Sequence, residues 1–389
     1  MDVIHQQFEV AYEYPVYFTR GLFAESNPML SDFLGSACES HCGIMVCIDR
    51  GVARAWPHLA GSIENYLTAR PRQFKLVAPA LLVAGGEAAK KDWCEVRRII
   101  GLAAERQVCR HSYLLAVGGG SMLDVAGLAA SLIHRGIRLL RVPTTVLAQC
   151  DGGVGVKNGI DHGGVKNFLG TFAPPSAVFN DFDFLATLPA VYWHGGVAEA
   201  FKVAIIKDAG LFATLTAEAD ALRRCELAAV APVIERTAAL HLDHIRRGGD
   251  PFEFGSARPL DFGHWSAHKL ETLSDYRIGH GLAVAVGIAI DTCYAAVRGL
   301  LSEAQRDQIL EAMRRAGLPL WSPLLRQTDG AGEPSILAGL EEFRQHLGGR
   351  LTITLPCGIG DRQEVHEVNR SDLLAALDFL SHSYSDCTP

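Results

Sequence analysis

The stretch Tyr113 to Asp124, YLLAVGGGSMLD, sets an apolar run directly before three glycines and a helical stretch that continues to His134. A strand that turns through glycine into a helix brings bare N–H groups and the positive end of a helix dipole together, a setting that favours anions. The spacing is not G-x-G-x-x-G, and ordinary tight turns use glycine too, so the flanking sequence has to carry the reading.

Outward from this turn, strand-like and helix-like stretches alternate. Phe8 to Phe18 reads as extended, Ile44 to Ile48 as a buried strand ending in Asp49, and Phe74 to Val77 with Leu81 to Val83 as a strand region followed by Gly85, Gly86, Glu87 and Lys90. Ile63 to Ala69 and Lys90 to Glu105 have helical spacing of apolar residues. The alternation predicts an α/β layer with a mainly parallel sheet, whose ligands sit at the carboxyl ends of strands. Asp49, at such an end, can accept ribose hydroxyls, and an acid there favours NAD over NADP. From about Asp183 strand signals nearly vanish. Ala198 to Leu215, Leu222 to Arg247, His264 to Thr272 and Leu282 to Val297 read as helices rich in Ala and Leu. The expected organisation is an NAD-binding α/β domain over 1–182 and a helical metal- and substrate-binding domain over 183–389, with the site in a cleft between them.

Between the apolar stretches around Leu140 and Val178 lies Pro143 to Gly170, PTTVLAQCDGGVGVKNGIDHGGVKNFLG. It has no hydrophobic periodicity and reads as a long, ordered, irregular loop outside the core, which inside a compact domain points to function. Lys157 and Lys166 stand among glycines, an arrangement suited to a phosphate.

A second constellation lies in the helical half. Glu199 and Lys202 are about one turn apart in GGVAEAFK, His264 and His268 share a helix face in DFGHWSAHKLE, and His280 opens the next helical stretch. Two histidines and a carboxylate with an open position form the donor set of a catalytic zinc site. Spacing alone makes His264 and His268 the natural pair, with His280 a spare.

The 389 residues are 49% hydrophobic and carry a formal net charge of -7, with no basic field to draw in nucleic acid. The start of the chain lacks the basic-then-apolar pattern of a signal peptide, and the longest apolar run, Leu282 to Ile290, is shorter than the roughly 20 residues of a membrane helix. A cytoplasmic enzyme acting on small molecules is expected, with no membrane or nucleic-acid partner. The ten cysteines contain no C-x-x-C pair and read as reduced, scattered side chains rather than a metal site.

Taken together, PTTVLAQCDGGVGVKNGID, Lys166-Asn167, Leu188-Pro189, GVAEAFK, FGHWSAH and IGHG resemble the sugar phosphate cyclases, the superfamily that includes 3-dehydroquinate synthase, from about Ile44 to Leu355. The resemblance implies a dehydroquinate synthase-like fold, NAD, a divalent zinc or cobalt ion, a homodimer, and a carbon–oxygen lyase acting on sugar phosphates. It implies Glu199, His264 and His280 as metal ligands, which moves His268 to substrate or phosphate contact. Asp151, Lys157, Asn167 and Lys202 match positions around substrate. Asp49, Glu87, Lys90, Gly119, Gly120, Ser121, Asp124, Thr144, Thr145, Lys166, Phe184, Thr187 and Leu188 match cofactor positions. The implied chemistry is hydride transfer to NAD, phosphate elimination, return of the hydride and aldol closure.

Departures from dehydroquinate synthase narrow the substrate. Its carboxylate-binding segment, R-x-x-x-N-x-G-H, reads here from Ala257 to His264. Arg258 stands beside the arginine position, Asp261 replaces the asparagine, and Asp243 falls where a lysine is expected. A carboxylate there repels an acidic substrate, and losing the arginine removes a charge-assisted pair worth up to about 3 kcal/mol. A late lysine position falls near Arg344 or His346. Asp261 and His346 resemble the cyclases that act on sedoheptulose 7-phosphate, the valiolone synthases. Asp151, Lys157, Lys202, Asp261 and His268 are the expected catalytic set, and Arg258, Arg344 and His346 the expected additional substrate contacts. Dehydroquinate synthase and a metal-dependent polyol dehydrogenase are the rival readings.

Overall fold

The computed structural model describes residues 3–37, 42–70, 74–163, 165–248, 252, 259–346 and 349–385. The chain forms two compact units, Met1–Pro143 with Val156–Asp181, and Thr144–Gly155 with Phe182–Pro389.

The first unit is built on a seven-stranded sheet of β1 (Val16–Thr19), β2 (Cys42–Asp49), β3 (Phe74–Leu76), β4 (Leu81–Val83), β5 (Tyr113–Gly118), β6 (Arg138–Pro143) and, after a hairpin of β7 (Lys157–His162) and β8 (Val165–Phe172), β9 (Ala177–Asp181). The order is β1-β9-β6-β5-β2-β3, with β4 pairing farther along the same edge of β2, and every pairing in this sheet is parallel. Ile44 to Ile48 in β2 and all of β5 and β9 are buried, as expected of strands covered on both faces. The glycine turn after β5 leads into helix Gly120–Leu132, as its sequence predicts.

The irregular loop expected over 143–170 is not what forms. Thr145 caps a short helix, Val146–Cys150, by accepting a hydrogen bond from Ala148 N, and β7 and β8 pair as an antiparallel ribbon with Gly159 opposite Gly170. Nor does the segment avoid the core, since Val154, Val156 and Ile160 are buried. Its Gly, Asn, Asp and Lys content is poor strand sequence, and the ribbon is set by tertiary contacts. Buried Arg141 donates to Asn158 Oδ1 at 2.6 Å and to Lys157 O at 3.0 Å. Gly127 leaves room for Asn158, because a Cβ there would overlap its side-chain oxygen.

The second unit is mostly helical, with one small hairpin, β10 (Ile353–Pro356) and β11 (Arg362–Val365), that the sequence pattern did not suggest. The helix expected over 198–215 is two, Ala190–Lys207 and Ala209–Ala217. Asp208 breaks it with extended geometry and caps the second through Leu211 N. Helix His280–Val297 is buried from Ala283 to Ala295. It alone, among the described residues, is long and apolar enough to cross a membrane, but most of it is buried inside this unit, as in the core helix of a globular fold. Two close approaches lock it to its neighbours. A Cβ at Gly281 would stand 2.1 Å from Gly195 O, and one at Gly287 would stand 2.0 Å from Gly263 O. The helices carrying Glu199, His264 and His280 therefore meet nearly backbone to backbone.

Candidate functional site

Glu199 lies midway along helix Ala190–Lys207, His264 opens helix His264–Leu273 and His280 opens helix His280–Val297. One ligand atom from each falls in a group no wider than 4.8 Å. The hydrogen bonds behind the two rings decide which nitrogens face inward. His264 Nδ1 is 3.0 Å from Phe262 O, a carbonyl that can only accept, so Nδ1 carries the proton and Nε2 is left with its lone pair. His280 Nδ1 faces Glu271 Oε2 at 3.3 Å, and its Nε2 stands 3.5 Å from Glu199 Oε1. In the neutral form that a metal needs, His280 would present this Nε2 lone pair toward Glu199 Oε1, with the position between them left to a cation. The carboxylate behind His280 is the outer partner commonly found at metal-binding histidines. Burial, then the charges of Lys202, His280 and His268, hold His264 well below the usual histidine value, in the neutral form a metal needs. The donor set fits zinc or cobalt.

The pair suggested by spacing alone, His264 with His268, is not the one gathered with Glu199. His268 instead groups with Glu271 and His280, its ring stacked on His280 at 6.0 Å. Lys202 Nζ lies 2.5 Å from Glu199 Oε2 and 3.4 Å from Asp151 Oδ2. Burial opposes its charge, yet Glu199, Asp151 and Asp261 outweigh that and keep it above the usual lysine value. Asp151 is also 3.5 Å from His241 Nδ1.

In the first unit, Gly119 precedes helix Gly120–Leu132 without a side-chain cap, leaving the helix N-terminus to its backbone amides. Asp49 ends β2 next to that turn, and a Cβ at Gly85 would collide with its carboxylate. Ser121 Oγ donates to Glu87 Oε1 at 2.9 Å, and Lys166 Nζ lies 3.6 Å from Glu87 Oε2. Lys90 is buried between Asp124 Oδ2, at 2.6 Å, and Asn167 Oδ1. Its backbone carbonyl accepts from Asp161 N, and Asp161 in turn accepts from Asn167 N. Expected cofactor residues thus form two polar groups, Ser121 and Lys166 on Glu87, and Asp124 with Asn167 on Lys90. These groups, an acid at a strand end and an uncapped helix start, fit a dinucleotide.

Residues 80–194 match the 3-dehydroquinate synthase N-terminal family model, and residues 196–331 match its C-terminal counterpart. A 2-epi-5-epi-valiolone synthase from Actinomyces sp is 31% identical over 96% of this chain and 96% of its own. The chain belongs to the 3-dehydroquinate synthase-like sugar phosphate cyclases. The cyclase is also 34% identical to a 2-epi-valiolone synthase from Actinosynnema mirum, over 82% of this chain and 81% of that one. Its fold matches a 2-epi-5-epi-valiolone synthase from Streptomyces hygroscopicus subsp. jinggangensis 5008, solved with NAD+ and Zn2+ bound, with a TM-score of 0.84, 31% identity, and 98% and 99% of the two chains covered.

Other expected positions of the cyclase fall as follows. Thr145 caps the helix after β6, and buried Thr144 Oγ1 has no partner among the described residues. Phe184 and Thr187 lie in the turn Phe182–Thr187, closed by Leu188 N to Leu185 O. Arg258 and the side chain of His346 lie outside the described residues. Arg344 is not brought to the histidines. It is exposed, with Glu341 accepting at 2.6 and 2.7 Å and Gly349 O at 2.9 Å, because the helix turns Phe343 toward His268 instead. Asp243 is half-buried and paired with Arg246 and Arg247, so its charge is spent locally rather than directed at a ligand. Sequence reasoning missed His241, Glu271 and Phe343. Glu271 had a signal, lying three residues beyond His268 on the same face.

Proposed function

We propose that the chain is an NAD- and metal-dependent cyclase that converts sedoheptulose 7-phosphate to a valiolone-type cyclitol, 2-epi-valiolone in preference, with release of phosphate. The observation that carries the substrate class is Asp261. Its charge reaches buried Lys202, and it stands where dehydroquinate synthases need an asparagine beside an acidic substrate. A carboxylate here suits neutral hydroxyls, which donate hydrogen bonds to it, and disfavours a second carboxylate. The relatives named valiolone synthases support the same choice.

Glu199, His264 and His280 would hold the divalent ion. When bound, that ion would polarise a ring hydroxyl and the nicotinamide would accept and return a hydride. Lys202, kept protonated, would hold a substrate oxygen beside Glu199. Asp151 would orient Lys202 and accept a hydrogen bond from a ring hydroxyl. Lys157 and Asn167 would bind the phosphate, with His268 a further contact. Asp49, Gly119, Gly120 and Thr145 would bind the dinucleotide. A homodimer is the proposed assembly, supported by Phe8, Val10 and Tyr12, exposed at alternate positions ahead of edge strand β1.

The test is phosphate release by zinc- or cobalt-loaded protein with catalytic NAD, comparing sedoheptulose 7-phosphate with 3-deoxy-arabino-heptulosonate 7-phosphate, with NMR of the product. Release from the neutral ketose alone is expected, and the NMR reads the epimer. Release from the acidic sugar alone would identify a dehydroquinate synthase. NADH accumulating on a polyol without phosphate release would point to a dehydrogenase.

A further inference from the structure

Asp291 lies far along helix His280–Val297 from the histidine that opens it, buried beside Thr292 among apolar neighbours. Both of its oxygens are engaged by the turn that carries His264. Oδ1 accepts from Trp265 Nε1 at 2.7 Å, and Oδ2 accepts from Gly263 N at 3.0 Å. The two donors are the residues on either side of His264.

That turn has little freedom to find another seat. Gly263 is left-handed, with φ of +78°, and no side chain caps the helix it precedes. A Cβ on it would stand 2.7 Å from Ile288 N, so the turn is pressed against the helix that carries His280. Trp265 is itself buried, and its indole N–H needs an acceptor. Only a carboxylate offers both oxygens as acceptors, since an amide in its place would turn an N–H2 toward one of the donors.

We propose that Asp291 is a positioning residue of the metal site, a two-pronged clamp that fixes His264 against the helix of His280 and so sets the separation of the two imidazoles. The ring centroids of His264 and His280 are 5.3 Å apart, and the clamp ties the backbone of one to the helix of the other. Asp291 touches neither ring and acts through Gly263 and Trp265. The inference rests on the metal reading above, and it assigns a function to the single acid of this helix.

The test is competition titration of metal-free protein with Zn(II) and Co(II) against a chromophoric chelator, for wild type, Asp291→Asn and Trp265→Phe, with the visible spectrum of the Co(II) forms and denaturant unfolding of the metal-free forms. Asp291→Asn is expected to weaken metal binding by about 10- to 100-fold, the usual effect of removing an outer partner, and to alter the Co(II) bands. Trp265→Phe keeps the Gly263 hydrogen bond, and a smaller loss is expected. If Asp291→Asn does not fold, Trp265→Phe decides. Folded variants with wild-type affinity and an unchanged Co(II) spectrum overturn the clamp alone. Wild type that binds neither ion overturns the metal reading and the clamp with it.

Discussion

Lys202 shows how one buried side chain sets the character of the site. Its ammonium lies against Glu199 and Asp151 with almost no solvent, and a buried group that loses its partner costs about 3–5 kcal/mol. Lys202→Met is therefore expected to destabilise metal-free protein by an amount of that order in urea unfolding. It is also expected to slow phosphate release by at least about 100-fold, as removal of a charge aimed at a reacting oxygen does. Asp291 is a buried acid with a measurable consequence. Burial pushes its carboxyl up to about 7, against the lowering effect of its hydrogen bonds from Trp265 and Gly263. For an acid with a raised folded value, the contribution to stability is fully present below the unfolded value near 4 and is lost as the pH rises through about 7. The stability of wild type relative to Asp291→Asn should therefore fall by roughly 1–3 kcal/mol between pH 5 and pH 8. A flat difference across that range would mean that the carboxylate is already ionised at pH 5.

At the scale of elements, the three ligand-bearing helices depend on glycine for their spacing. Gly281→Ala would force a methyl onto Gly195 O. Overpacking of this kind costs about 1–3 kcal/mol, and it should show as a lower thermal midpoint together with weaker Zn(II) binding, because the helices of Glu199 and His280 move apart. The β7–β8 ribbon depends instead on a polar key, Asn158 held by Arg141. Asn158→Leu leaves the guanidinium without that acceptor and frees the start of β7, where Lys157 lies. The expected result is a KM for the sugar phosphate raised several-fold with a smaller change in kcat, measured on protein shown to be folded by circular dichroism. Neither device has a strong local signature. The ligand helices were legible because their apolar spacing is local, whereas the ribbon was read as a loop because Asn158 and Arg141 meet only after the sheet has formed.

For the molecule as a whole, removal of metal is the broadest check. Chelation should abolish phosphate release, and either zinc or cobalt should restore it. Restored metal should also stabilise the fold by about 2.7 kcal/mol at 100 times the dissociation constant, read as a rise in thermal midpoint. If the exposed arm of Phe8, Val10 and Tyr12 is covered by a second copy, deleting residues 1–13 should shift the mass in light scattering from dimer to monomer. An unchanged mass would place the interface elsewhere.

The sequence by itself determined the α/β layer, the helical second half and the residue types at the site. Continuous apolar runs, helical spacing and glycine turns are properties of neighbours in the chain, and the ordered motifs carried the resemblance to cyclases. Only the tertiary structure decided that both rings present Nε2, that Arg344 is turned away, and that Glu271 and Asp291 stand behind the ligands. Each of these rests on a contact between separate helices or on the direction of one side chain. Such contacts exist only once apolar burial has brought the helices together, and no periodicity along the chain encodes them.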